Sequence, residues 1–131
     1  MNAKIINFSC VDKKNTNQNV YIINYDSKFK NTEGKIPFQF GIFNYMKSQN
    51  LKLELYIYAP DGSVTDQKIN ITDTPDEPQK AAPIGKTFVS AGSVSAPINI
   101  TTGIYEAKLI LFDNNFPIDS QKTFFYFDEL K

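Results

Sequence analysis

The sequence predicts an all-β chain: two packed antiparallel sheets built from seven to nine short strands. Three observations point there. Apolar positions alternate with a period of two, as strands with one buried face require. Aromatic and β-branched residues dominate those stretches, with seven Tyr and eleven Phe in 131 residues. Seven Pro and six Gly punctuate the gaps, and no segment carries the 3.6-residue repeat of a long amphipathic helix.

The elements follow in order. Lys4 to Val11 reads as a first strand and Asn19 to Tyr25 as a second, joined by a polar linker from Asp12 to Gln18. Ile36 to Tyr45 is the third, with Ile36, Phe38, Phe40 and Ile42 on one face. Pro37 donates no ladder hydrogen bond, so it marks the start of that strand or an edge. Leu51 to Ala59 has the clearest pattern: Leu51, Leu53, Leu55 and Ile57 share one face, and Lys52, Glu54, Tyr56 and Tyr58 the other. Pro60-Asp61-Gly62 closes it with turn chemistry, and Val64 to Ile71 returns as its hairpin partner. Thr72 to Lys80 is loop by composition. Thr87 to Ser90 and Ser93 to Ile100 read as short strands divided by Gly92 and Pro97. Ile104 to Phe112, a turn over Asp113 to Pro117, and Asp119 to Phe127 form a closing hairpin. With 131 residues, no internal repeat and no linker rich in Pro, Gly or Ser, residues 1–131 are expected to form one domain.

The segment from Thr102 to Leu109 carries a specific signal. Gly103 precedes the strand, Tyr105 stands two residues before Ala107, and Tyr105, Ala107, Leu109 and Leu111 point inward. This spacing resembles that of immunoglobulin-like sandwiches, in which the Tyr hydroxyl bonds backbone just upstream and pins the corner between strands. The resemblance implies an immunoglobulin-like two-sheet antiparallel sandwich. Antibody domains themselves are excluded, because the chain has no Trp and a single Cys. More widely, Cys10 to Asp12, the Asp61-Gly62 turn and the Gly103 to Leu109 strand resemble small bacterial or phage β-sandwich proteins of unknown function. That likeness implies a fold and no activity.

The missing residue types exclude most chemistry. There is no His and no Arg, and Cys10 is the one cysteine. His-based acid–base catalysis, Ser-His and Cys-His pairs, the usual zinc sites and arginine phosphate clamps all fall away. A glycosidase needs two carboxylates across a cleft, and the acids here fall in turns, loops or solvent faces. The chain is expected not to be an enzyme and to carry no cofactor. Asp73, Asp76 and Glu77, and Asp113 with Asp119, are the oxygen donors a Ca²⁺ ion would use, but no Asp-x-Asp-x-Asp-Gly spacing occurs and no metal is expected. Cys10 reads as a small buried hydrophobe.

Fourteen Lys balance fourteen acids, so nucleic acid is not an expected partner. No apolar run reaches membrane-spanning or signal-peptide length, and a lone Cys implies no oxidising compartment. The expected location is the cytoplasm. Lysine without arginine, with abundant Asn and Ile, fits an AT-rich bacterial or phage genome.

The aromatics carry the functional expectation. If the Leu51–Ile57 face is inward, strand parity sends Tyr56 and Tyr58 outward. By the same rule Phe43 and Tyr45 oppose the Phe38–Ile42 face, Ile110 and Phe112 oppose Leu109 and Leu111, and Phe124 and Tyr126 oppose Phe125 and Phe127. In an immunoglobulin-like topology these strands share one sheet, whose outer surface would gather Phe43, Tyr45, Tyr56, Tyr58, Ile110 and Phe112. Such a patch calls for a cover. Either the segment from Thr72 to Thr102 folds across it, or another protein does, a homodimer being the simplest closure. The expected function is a non-catalytic, self-associating interaction or structural module. The alternative is a sandwich binding carbohydrate or another small ligand through Tyr side chains and loop acids.

Overall fold

Eight strands are present among the residues that the computed structural model describes, which are 3–10, 21–45, 51–70 and 88–130. They are β1 (Lys4–Cys10), β2 (Tyr21–Tyr25), β3 (Glu33–Tyr45), β4 (Leu51–Tyr58), β5 (Val64–Asn70), β6 (Phe88–Asn99), β7 (Gly103–Asp113) and β8 (Phe116–Glu129). Sheet A has the order β1-β3-β6 and sheet B the order β2-β8-β7-β4-β5. The sequence-predicted sandwich is therefore present. The loop over 72–80 and the linker over 12–18 lie outside the described residues.

Parity holds where the pattern is cleanest. In β4, Leu51, Leu53, Leu55 and Ile57 are buried, and in β7, Tyr105, Ala107, Leu109 and Leu111 are buried. Between the sheets runs a continuous line of rings. Phe8 stacks on Phe38, Phe38 meets Phe125 edge-on across the sandwich, and Phe125 stacks on Tyr105 with centroids 5.0 Å apart. Phe127 packs edge-on against Tyr105, Phe125 and Tyr25. Six aromatics are thereby spent on the core, in the offset and edge-to-face geometries that favour ring pairs.

The corner expected at Tyr105 is formed. Its hydroxyl donates to the Asn99 carbonyl and accepts from the Thr101 N–H at 3.0 Å. Gly103 beside it has φ +141, and a β-carbon there would lie 2.6 Å from the Pro60 ring. Gly is required by both the backbone and its neighbour.

Four local features differ from expectation. In β1 the buried positions are Ala3 and Ile5, then Phe8 and Cys10. A bulge between Ile6 and Ser9, with Asn7 at φ +55, inserts the residue that flips the parity. The β7–β8 turn is shorter than the composition of 113–117 implied. Asn114 and Asn115 have φ +48 and +68, the pair of positive values a two-residue type I′ hairpin needs, so β8 starts at Phe116. β6 is one strand rather than two. Beyond its end the Ile100 N–H donates to the Thr32 carbonyl and the Ile100 carbonyl accepts from the Asn31 N–H, both just ahead of β3. Backbone alternation then turns Pro97 away from β3, where its missing N–H interrupts no ladder bond. Finally, β2 pairs parallel with β8, Tyr21 opposite Phe125 through Tyr25 opposite Glu129, within an otherwise antiparallel fold. The buried Tyr25 anchors it, its hydroxyl 2.7 Å from that of Thr102 and its carbonyl accepting from Leu130 N–H.

The outer edge of β1 is closed by β8 of the other sheet. Ile5 N–H donates to the Asp119 carboxylate at 2.7 Å, and Gln121 Nε2 donates to the Ile5 carbonyl at 2.7 Å. Asp119→Ala should destabilise the fold by about 1.5–3 kcal/mol, the worth of a hydrogen bond to a charged group in a partly buried setting. Urea unfolding of the two proteins measures this. A loss of a few tenths would mean that water replaces the carboxylate.

Candidate interaction face

The six residues expected to form one patch do not share a face. Phe43 lies on β3, whose partners are β1 and β6, whereas Tyr56, Tyr58, Ile110 and Phe112 lie on β4 and β7 of the opposite sheet. Phe43 is exposed on the far side of the sandwich, opposite Lys4 in register. The backbone of Tyr45 belongs to the same strand, and its side chain lies outside the described residues. Parity assigned the outward side correctly to Phe43 and Tyr58, but sheet membership depends on long-range pairing that parity does not encode.

On the outer face of sheet B the rows can be followed across the strands. Ile22, Tyr126 and Ile104 form one row, from β2 through β8 to β7. Phe124, Glu106, Tyr58 and Val64 form the next, from β8 to β5. Of these, Ile104 (63% exposed), Val64, Phe124, Tyr58 and Ile22 are large apolar side chains open to solvent. They gather at one end of the face. Glu106 interrupts them, 3.5 Å from the Lys122 ammonium. Ile104, Ile22 and Val64 escape a reading that follows aromatics, yet the same alternation places them: Ile104 precedes inward Tyr105, and Ile22 precedes the packed Ile23.

The opposite end is more covered. Ile110 and Phe112 are half-buried, and the Lys52 ammonium sits 5.6 Å from the Phe112 centroid. Tyr56 is also half-buried and donates its hydroxyl to Glu54 Oε1 at 2.9 Å. That bond, slight burial and the neighbouring Glu54 and Asp66 carboxylates push the Tyr56 phenol above its ordinary pKa. A raised phenol stays protonated at neutral pH and remains a donor. The segment expected to cover this face is partly placed elsewhere, because residues 88–99 form β6 in sheet A. Residues 72–87 lie outside the described residues.

The structure also offers a cleft of about 240 Å³ between β5 and the end of β6, lined by Glu33, Ser63, Thr65, Asn99 and Tyr105 among others. Its one tyrosine already spends its hydroxyl on the Asn99 and Thr101 backbone. Asp61 in the adjoining turn accepts from the Ser63 N–H and hydroxyl, which hold its carboxyl below the usual range. Asp119 is engaged by Ile5 as described. Among the described residues, no three His, Cys, Asp or Glu side chains converge to hold a metal ion, and no helix is long and apolar enough to cross a membrane. Asp73, Asp76 and Glu77 lie outside the described residues.

No family model matches the chain, and no curated protein matches it. Solved structures do. The C-terminal domain of wzt is similar at a TM-score of 0.58 and 13% identity, over 98% of this chain and 75% of that one. The CARDB domain of the PF1109 protein from Pyrococcus furiosus, solved in complex with di-metal ions, is similar at a TM-score of 0.50 and 9% identity, over 98% and 92%. At such identities the likeness is one of architecture. The chain is a β-sandwich of the immunoglobulin-like kind that these domains share.

Proposed function

We propose that the chain is a non-catalytic interaction module that self-associates through the apolar end of the outer face of sheet B. The observation that carries this reading is the gathering of Ile22, Tyr58, Val64, Ile104 and Phe124, all exposed, across the strands of that sheet. Monomers rarely leave contiguous apolar surface of this kind uncovered. A formal net charge of zero supports contact between identical copies, since no overall repulsion holds them apart. A two-fold contact is the simplest arrangement that covers the same patch on both copies. The two similar structures described above are domains of larger proteins, in keeping with a non-catalytic module. The metal ions of the Pyrococcus domain are a property of that protein and are not carried over.

Ile104→Ser combined with Phe124→Ser tests the reading, because neither residue belongs to the core. The double variant should keep the wild-type circular dichroism spectrum and weaken self-association at least about tenfold, the effect of losing central apolar anchors. Sedimentation velocity across a concentration series measures it. Assembly equal to that of the wild type would sink the proposal.

A further inference from the structure

The four sheet edges are not treated alike. β1 has its outer edge closed by Asp119 and Gln121. β2 is five residues long. β5 carries the exposed charges Asp66 and Lys68. These are the means by which proteins keep strand edges from pairing with other chains. β6 has none of them. It runs for twelve residues, Phe88–Asn99, without one charged side chain, and among the described strands it pairs on one side alone, with β3.

Its backbone polar groups can be assigned to sides. Because the Ile100 N–H and carbonyl both bond the residues just ahead of β3, Thr32 and Asn31, on the side where β3 pairs β6, alternation sends those of Ile98, Ala96, Val94, Gly92 and Ser90 the same way. The groups of Val89, Ala91, Ser93 and Ser95, and the carbonyl of Pro97, therefore point away from the sheet. These five positions are symmetric about Ser93. Reversed against itself with Ser93 on a two-fold axis, the strand sets Ala91 opposite Ser95 and Val89 opposite Pro97. About eight backbone hydrogen bonds close across such a pair, and the missing N–H of Pro97 falls at each end, where it costs least.

From this we infer that β6 pairs antiparallel with β6 of a second copy, joining two three-stranded sheets into one of six. The partner is a second copy because the outward row is its own complement: it has the right spacing when reversed and brings no like charges together. Closure around a two-fold axis consumes this edge in each copy, the one left unguarded among the described strands, so this contact by itself gives a closed dimer rather than a fibre. This surface belongs to sheet A, and the apolar face of the preceding proposal to sheet B, so the two contacts are separable.

The experiment is sedimentation velocity on the wild type, Ser93→Lys and Ser95→Pro, with oxidative cross-linking of Ser93→Cys. Ser93→Lys sets two charges on the axis, and Ser95→Pro removes an outward N–H while leaving the β3 ladder whole. Both should raise the dimer dissociation constant at least about tenfold. Ser93→Cys should form a disulfide dimer under mild oxidation, whereas Lys4→Cys on β1, exposed and outside both proposed contacts, should not; buried Cys10 leaves the assay clean. A wild type that stays monomeric at hundreds of micromolar, or a Ser93→Lys protein that dimerises as the wild type does, overturns the inference. If the lysine and proline variants misfold, failure of Ser93→Cys to cross-link overturns it instead. A dimer lost in Ser93→Lys but kept in the Ile104→Ser, Phe124→Ser protein supports the edge contact and refutes the face contact. The reverse pattern does the opposite.

Discussion

Phe125→Ala is expected to lower the free energy of unfolding by about 3–5 kcal/mol, the largest loss anticipated for a single side chain here. The Phe125 ring is fully buried and touches rings from both sheets: Phe38 at 5.8 Å between centroids, Tyr105 at 5.0 Å and Phe127 at 5.9 Å. Truncation removes the apolar surface of the side chain and leaves a cavity that three rigid rings, each fixed by its own strand, cannot fill without moving backbone. Phe125→Leu keeps much of the volume and should lose markedly less. Urea titrations followed by fluorescence and circular dichroism give both values. A loss under about 1 kcal/mol for the alanine variant would show that the neighbouring rings repack into the space, and that the line of rings does not hold the sheets together as described.

Gly103→Ala should be nearly as damaging, at about 2–4 kcal/mol, from two causes that can be separated. The first is conformational: φ +141 is a region that L side chains rarely adopt. The second is steric: the added methyl group would meet Pro60 Cγ at 2.6 Å and Cβ at 2.9 Å. Gly62 supplies the control, since it has φ +88 but nothing within 4 Å of where a β-carbon would stand. Gly62→Ala should therefore show conformational strain alone. Combining Gly103→Ala with Pro60→Gly removes the collision and keeps the strain, so the double variant should recover part of the lost stability after correction for Pro60→Gly by itself. A fully additive cycle would mean that the turn shifts to accommodate the methyl group.

What the sequence disclosed depended on the range over which each feature is determined. Alternation in β4 is a property of eight consecutive residues, and it placed the buried face of that strand correctly. The corner at Gly103 and Tyr105 is equally local, fixed by hydrogen bonds that span four to six residues. Sheet membership is another matter. Phe43 and Tyr58 both look outward, but β3 joins β1 and β6 while β4 joins β7 and β5, and the choice rests on pairings between distant segments. Register breaks were hidden for a related reason: nothing in the composition of β1 marks Asn7 as the residue that reverses its parity. The functional expectation suffered accordingly. It followed rings, many of which are spent on the core, whereas the exposed end of sheet B owes as much to Ile22, Val64 and Ile104 as to Tyr58 and Phe124.

The parallel pairing of β2 with β8 has a consequence for the order in which the molecule assembles. β8 is the last of these strands to leave the ribosome, and both amino-terminal strands depend on it, β2 through a ladder and β1 through the bonds from Asp119 and Gln121 to Ile5. Those contacts close loops of roughly a hundred residues, which costs entropy before any of them is rewarded. A nascent chain that stops short of Phe116 can form the β4–β5 hairpin and begin sheet A, but β2 has no ladder partner and the outer edge of β1 lacks Asp119 and Gln121. Folding is thus tied to the synthesis of β8, and the many pairings between distant segments place it among slow-folding β domains.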